Sequence, residues 1–245
     1  MPSGQIPATA DARAIADKLV QSFPAIEGVL LCGSVARGDA DEWSDIDLVV
    51  IGSDLALTPS RMREALADMS RRVSLIYYPA DAFAEQYRQR ALFIAHLQKE
   101  GVILYDRRGL LKTTLAKPFA PVVDVEEGIR AHRARLAPYS DPRRFNNNFL
   151  FCLSHLYSIG KGVVMLGLAK DGVLEFNREA AFQRFAGLNP DLVEETRKIA
   201  QLRPFYRLVT GRRPEPLPFS YQAADRQMLE AVRAIETLAR RAEKQ

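Results

Sequence analysis

The stretch Gly33-Ser34-Val35-Ala36-Arg37-Gly38, followed shortly by Ser44-Asp45-Ile46-Asp47-Leu48-Val49-Val50, constrains this chain more than any other segment. In the second stretch Asp45 and Asp47 alternate with Ile46, Leu48 and Val50. Side chains on a strand alternate faces, so the two carboxylates share one face about 6–7 Å apart while the apolar residues fill the other. Two like charges on a mostly apolar strand are costly unless a cation binds them. Magnesium suits the pair, being a hard ion that takes carboxylate oxygens together with substrate phosphates. The first stretch completes the picture, because an apolar run over residues 28–32 enters Gly33-Ser34. A glycine there lets backbone come close to a ligand. If Ser34 to Gly38 opens a helical turn, its first N–H groups form an anion site, and the Ser34 hydroxyl adds a donor. Arg37 has two readings: it reaches the phosphates, or it pins the loop through Asp39 or Asp41.

The surrounding pattern predicts an α/β first half. Helical periodicity runs over residues 11–23, 58–71 and 81–98, and short apolar strands over 28–32, 45–51, 73–78 and 102–105. Strands alternating with helices indicate an α/β layer architecture. Residues 107–121 hold Arg107, Arg108, Lys112, Lys117, Pro118 and Pro121 without clear periodicity and read as a linker between a domain at 1–106 and one at 122–245. Beyond the linker the pattern is helical over 124–137, 144–168, 177–186, 191–202 and 222–242, which predicts a helical bundle. Asp191 reads as a helix cap with Glu194 three residues on. The proline-rich run 211–218 reads as a loop whose Arg212 and Arg213 are more simply solvated than phosphate-gripping.

Charge divides the chain in the same way. Residues 1–129 carry 14 Lys+Arg against 18 Asp+Glu, a net of −4, and residues 130–245 carry 20 against 12, a net of +8. A basic half points to an anionic partner or to a solvated Arg-rich helical surface. No apolar run approaches the about 20 residues of a membrane span, and the polar start of the chain lacks a signal-peptide pattern. The expectation is a cytoplasmic protein with no membrane association. Cys32 and Cys152, the two cysteines, read as buried thiols rather than a disulfide or zinc site.

Gly33-Ser34 followed by Asp45-x-Asp47 resembles the signature of the DNA polymerase β-like nucleotidyltransferase superfamily. The wording Gly-Ser-Val-Ala-Arg-Gly through Ser-Asp-Ile-Asp-Leu is similar to the small prokaryotic branch, which includes MNT-type antitoxins and kanamycin nucleotidyltransferase-like enzymes. The resemblance implies an α+β fold, with an N-terminal nucleotidyltransferase domain on a small mixed sheet and a C-terminal helical bundle presenting a substrate or partner. It implies magnesium on Asp45 and Asp47, and a nucleoside triphosphate, ATP in the first instance, held by Gly33, Ser34, Arg37 and Ser44. It implies transfer of a nucleoside monophosphate to an acceptor hydroxyl.

One position departs from the pattern. The third carboxylate expected on the next strand is replaced by Ser74, within Val73-Ser74-Leu75-Ile76. Asp81, Glu126 and Glu127 are the acids that can stand in. Kanamycin nucleotidyltransferase-like relatives take their base from the helical domain, which favours Glu126 or Glu127. The other readings are slower turnover on two carboxylates, or a nucleotide-binding, antitoxin-like protein with a degenerate site. The basic bundle ranks RNA or a protein hydroxyl above an aminoglycoside as acceptor, and a homodimer is left open. His96, beside Phe93, Ile94 and Leu97, reads as a packed histidine. Arg90 and His96 match the spacing of HEPN ribonucleases but lie in the wrong half of the chain. Arg143, Arg144, Asn146, Asn147 and Asn148 read as a polar helix start that could line a cleft, with Tyr157 and Lys161 one helical turn apart facing it.

Overall fold

The structure, a computed structural model, describes residues 7–41, 44–69, 72–146, 148–211, 216–218, 220 and 223–244. Asn147, Arg212, Arg213 and the start of the last expected helix at residue 222 therefore lie outside the described residues. The chain divides into two compact units, Met1–Val122 and Val123–Gln245.

The first unit is built on a four-stranded sheet of β1 (Ile26–Cys32), β2 (Ile46–Gly52), β3 (Val73–Pro79) and β4 (Val102–Asp106). Its order is β3-β2-β1-β4. β1 runs antiparallel to both β2 and β4, and β2 runs parallel to β3, so the sheet is mixed as the resemblance implied. The parallel β2–β3 pair needs a crossover. Helix α3 (Pro59–Ala65) supplies it, with Thr58 accepting from the Arg61 amide and Pro59 at its first position.

Both sheet faces are covered. Ala12, Ile15, Ala16 and Leu19 of α1 (Pro7–Ser22) pack with Ile46, Leu48 and Val50 on one face, joined by Met62 and Leu66. On the other, Leu30, Cys32, Val49 and Ile51 pack against Phe83 of α4 (Ala80–Arg88) and Ile94 and Leu97 of α5 (Leu92–Glu100). A helix of five residues, α2 (Gly33–Arg37), follows β1 directly.

Two expectations change here. The single helix over 81–98 is two helices, because Arg90 takes a left-handed φ of 52° and its carbonyl accepts from the Val122 amide at 3.0 Å. The expected linker at 107–121 holds α6 (Leu110–Ala116), whose Leu111 is fully buried on the sheet with Leu30 and Leu97. The Gln98 amide donates to the carbonyls of Thr114 and Lys117, both at 2.8 Å, so this segment belongs to the first unit. Leu110, Leu111 and Leu115 supply the apolar face, and the flanking lysines and prolines hid it.

The second unit is helical over its described residues. Its helices are α7 (Val125–Leu136), α8 (Phe149–Lys170), α9 (Arg178–Leu188), α10 (Val193–Ala200), α11 (Arg203–Val209) and α12 (Ala224–Lys244). Helix α8 is central and packs against the other five. Contrary to the expectation that no apolar run approaches a membrane span, it is long and apolar enough to cross one by length and composition, and more than half of its most apolar window is buried inside the bundle. Its own glycines admit the neighbours. A Cβ at Gly160 would lie 2.5 Å from Ile199 Cγ2 on α10, and one at Gly167 would lie 2.7 Å from the Phe185 ring on α9. Asp191 falls inside a short 3-10 turn, Pro190–Leu192, and is not the cap; α10 starts after it, with Leu192 at the cap position.

Gly160→Val should destabilise the bundle by about 1–3 kcal/mol, because Ile199 is β-branched and cannot rotate away. The small helix-propensity gain over glycine is outweighed. The measurement is the urea midpoint; an unchanged midpoint would mean that α8 and α10 do not approach this closely.

Candidate active site

The register of β1 and β2 brings the two halves of the motif together. Cys32, the last residue of β1, pairs with Asp47, so the helix that begins at Gly33 starts beside the Asp47 side chain. Gly33 has a φ of +74°, which L side chains rarely adopt, and a Cβ built there would lie 2.3 Å from Asp47 Oδ2. Only glycine satisfies both demands. The missing Cβ is a cradle that the Asp47 carboxylate fills. Backbone amides in the first turn of a helix lack intrahelical acceptors.

The rest of α2 serves its placement. Val35 is buried, and Gly38 closes the helix in the left-handed region at φ 79°, donating to the carbonyls of Ser34 and Val35. Ser34 is half-buried. Ser44 stabilises the return loop: its hydroxyl donates to Asp41 Oδ1 at 2.8 Å and accepts from the Asp41 amide at 2.9 Å. Asp45 and Asp47 are both half-buried, Asp45 one residue ahead of β2 and Asp47 within it.

Of the two readings of Arg37, the structure shows the pin. Its Nη1 donates to Glu100 Oε2 at 2.7 Å and its Nε to Asp39 Oδ2 at 3.2 Å. The Glu100 side chain that it meets is only 5% exposed. His96 is not simply packed, since its Nε2 lies 3.0 Å from Glu100 Oε2. Burial by itself would raise the Glu100 carboxyl, but the hydrogen bonds from His96 and Arg37 outweigh it and hold the group below its ordinary value. Glu100 is the residue that sequence reasoning missed. The signal available was the His96–Glu100 spacing of one helical turn. Cys32 is inert, its thiol pushed up to about 12 by burial and by the nearby Asp47 and Glu100 charges.

The position opposite Asp47 on β3 is Ser74. Paired residues of neighbouring strands share a face, so Ser74 stands where a third carboxylate would complete the set. Among the described residues no group of three or more His, Cys, Asp or Glu side chains forms a metal cage. The pair Asp45 and Asp47 still fits magnesium, which commonly binds through one or two carboxylates plus substrate phosphates.

The substitute acids are divided between the two units. Asp81 is exposed in the first turn of α4 and caps the Ala82 amide. Glu126 and Glu127 are exposed in the first turn of α7, in the second unit. Glu127 pairs with Arg130 at 2.5 Å, and Glu126 lines a cavity of about 260 Å³ with Arg130, Arg133 and Glu243. Tyr157 faces the bundle core rather than a cleft: it is buried, with ring contacts to Phe182 and Tyr206. Arg143 and Arg144 stay within reach of Asp141, which caps the turn Pro142–Phe145; Asn148 begins α8 without a side-chain cap.

No curated protein matches the chain. Among solved structures, the spectinomycin adenyltransferase AAD(9) from Enterococcus faecialis, crystallised with ATP and spectinomycin, superposes with a TM-score of 0.50 at 12% identity, covering 94% of this chain and 100% of that one. That likeness concerns the fold. A nucleotidyltransferase-like protein from Exiguobacterium sibiricum gives a TM-score of 0.40 at 14% identity, covering 96% of this chain and 74% of that one. A toxin–antitoxin structure with AMP-PNP gives 0.32 at 17%, covering 42% of this chain and 81% of that one. The family model described as Polymerase beta, Nucleotidyltransferase matches residues 15–109, which span the sheet, α2 and both aspartates. Residues 15–109 of this chain are accordingly similar to the nucleotidyltransferase domains of the polymerase beta family.

Proposed function

We propose that this protein is a magnesium-dependent nucleotidyltransferase that moves a nucleoside monophosphate from a nucleoside triphosphate, ATP in the first instance, to an acceptor hydroxyl. The observation that carries the reading is the Asp47 carboxylate lying against Gly33 at the head of α2. In this reading the α2 amides and the Ser34 hydroxyl donate to phosphate oxygens, and Asp45 and Asp47 hold the metal. Magnesium bound there would supply positive charge against the charge that develops on the phosphate oxygens. The acceptor oxygen attacks the α-phosphorus, the bond to the bridging oxygen breaks, and pyrophosphate leaves. The hydroxyl proton goes to Glu126 or Glu127.

The acceptor follows from charge. With 20 Lys+Arg against 12 Asp+Glu in residues 130–245, RNA or a protein hydroxyl is favoured over a polycationic aminoglycoside. The protein is placed in the cytoplasm, where nucleoside triphosphates are supplied. A second reading, nucleotide binding without turnover, is favoured by one observation: Ser74 rather than a carboxylate sits opposite Asp47.

Asp47→Asn should lower magnesium-dependent pyrophosphate release by at least about 100-fold, with the circular dichroism spectrum unchanged; undiminished release would remove the assignment. A Glu126→Gln/Glu127→Gln variant should lower kcat by about 100-fold, the usual worth of a general base. Ser74→Asp in that background should restore part of the loss. Tight binding of ATP with magnesium in calorimetry, and no pyrophosphate over hours from the wild-type protein, would favour the second reading instead.

A further inference from the structure

Helix α2 has five residues, far too few to be stable alone. Its position against Asp47 must come from contacts outside itself. Val35 gives it one buried anchor. The other end carries Arg37, whose guanidinium is tied to Glu100.

Glu100 is an expensive residue where it stands. It is the last residue of α5, the end at which the helix dipole opposes a negative charge. Its side chain is 5% exposed, so water solvates it poorly. Two donors offset this, Arg37 Nη1 at 2.7 Å and His96 Nε2 at 3.0 Å, and both meet the same oxygen, Oε2. An ionised carboxylate only accepts, so His96 presents Nε2–H to it. Cys32, at the junction of β1 and α2, pairs with Asp47 across the sheet. The buried carboxylate, the guanidinium and the candidate metal ligand thus surround one short piece of backbone.

We propose that Glu100, acting through Arg37, is the positioning residue that holds the turn Gly33–Arg37 in register with Asp47 for nucleotide binding. The proposal rests on the nucleotidyltransferase reading for its ligand, and on the ion pair alone for its mechanics. Glu100 itself touches no phosphate. Its effect reaches the nucleotide through the placement of the α2 amides, where an error of about 1 Å can cost about 100-fold.

The test is a double-mutant cycle with Glu100→Gln, Arg37→Gln and the pair of them, read by calorimetry with AMP-PNP and magnesium and by hydrogen exchange of residues 33–38. Each single variant should weaken nucleotide binding by about 10- to 100-fold. The double variant should be no weaker than the worse single one, because both remove the same link. Exchange of the 33–38 amides should accelerate in every variant while the sheet stays protected. Weakened binding in Arg37→Gln with Glu100→Gln unaffected would overturn the proposal, since Arg37 would then act on the phosphates directly. Additive losses, or a lower melting temperature with unchanged binding and exchange at 33–38, would overturn it as well. If the wild-type protein binds no nucleotide, the functional reading fails, and the exchange data still decide whether Glu100 positions the turn.

Discussion

Everything in the first unit converges on one close approach, the Asp47 carboxylate against the Cα of Gly33. It follows from the antiparallel register that pairs Cys32 with Asp47, because a strand that ends there must turn into α2 directly over the carboxylate. No side chain can occupy the gap, and no L residue adopts the Gly33 conformation without strain. The motif is therefore not two separate ligand sets. It is one junction in which the backbone at Gly33 and a carboxylate are held in contact.

Burial on both faces of the sheet makes that junction rigid. Ile46, Leu48 and Val50 are buried beneath α1 and α3, while Val49 and Ile51 are buried beneath α4, α5 and α6. A one-residue slip of β2 would exchange these sets and bury Asp47, so the register is strongly specified. The carboxylates sit at the start of the strand, where the packing opens and both are half-buried. Arg37, Glu100 and His96 extend the same logic with charge: each is half-buried or buried, and each is satisfied by another member of the set.

How much was legible in the sequence varies with the range of the interaction. The Asp45-x-Asp47 face, the glycine turn and the change from α/β to helical pattern depend on residues close in the chain, and periodicity exposes them. The break at Arg90 was not legible, because it rests on a hydrogen bond from the distant Val122 amide. Helix α6 was missed because three leucines among lysines and prolines show an apolar face only when β1 offers Gly28, where a Cβ would come within 2.7 Å of Leu111. Glu100 was passed over as an ordinary helix end, since its partner Arg37 lies 63 positions away.

The sequence by itself determined which chemistry is available: two carboxylates spaced two residues apart at the head of a strand, a glycine that admits close backbone approach, and a serine where a third acid was expected. Alternation and composition are local properties, so they survive without the fold. Only the tertiary structure decided what each charge does. It gave Arg37 a buried carboxylate as its partner, and it set Ser74 opposite Asp47 across a parallel register. Those outcomes depend on distances between residues far apart in the chain, which sheet pairing and helix packing fix and spacing along the sequence does not.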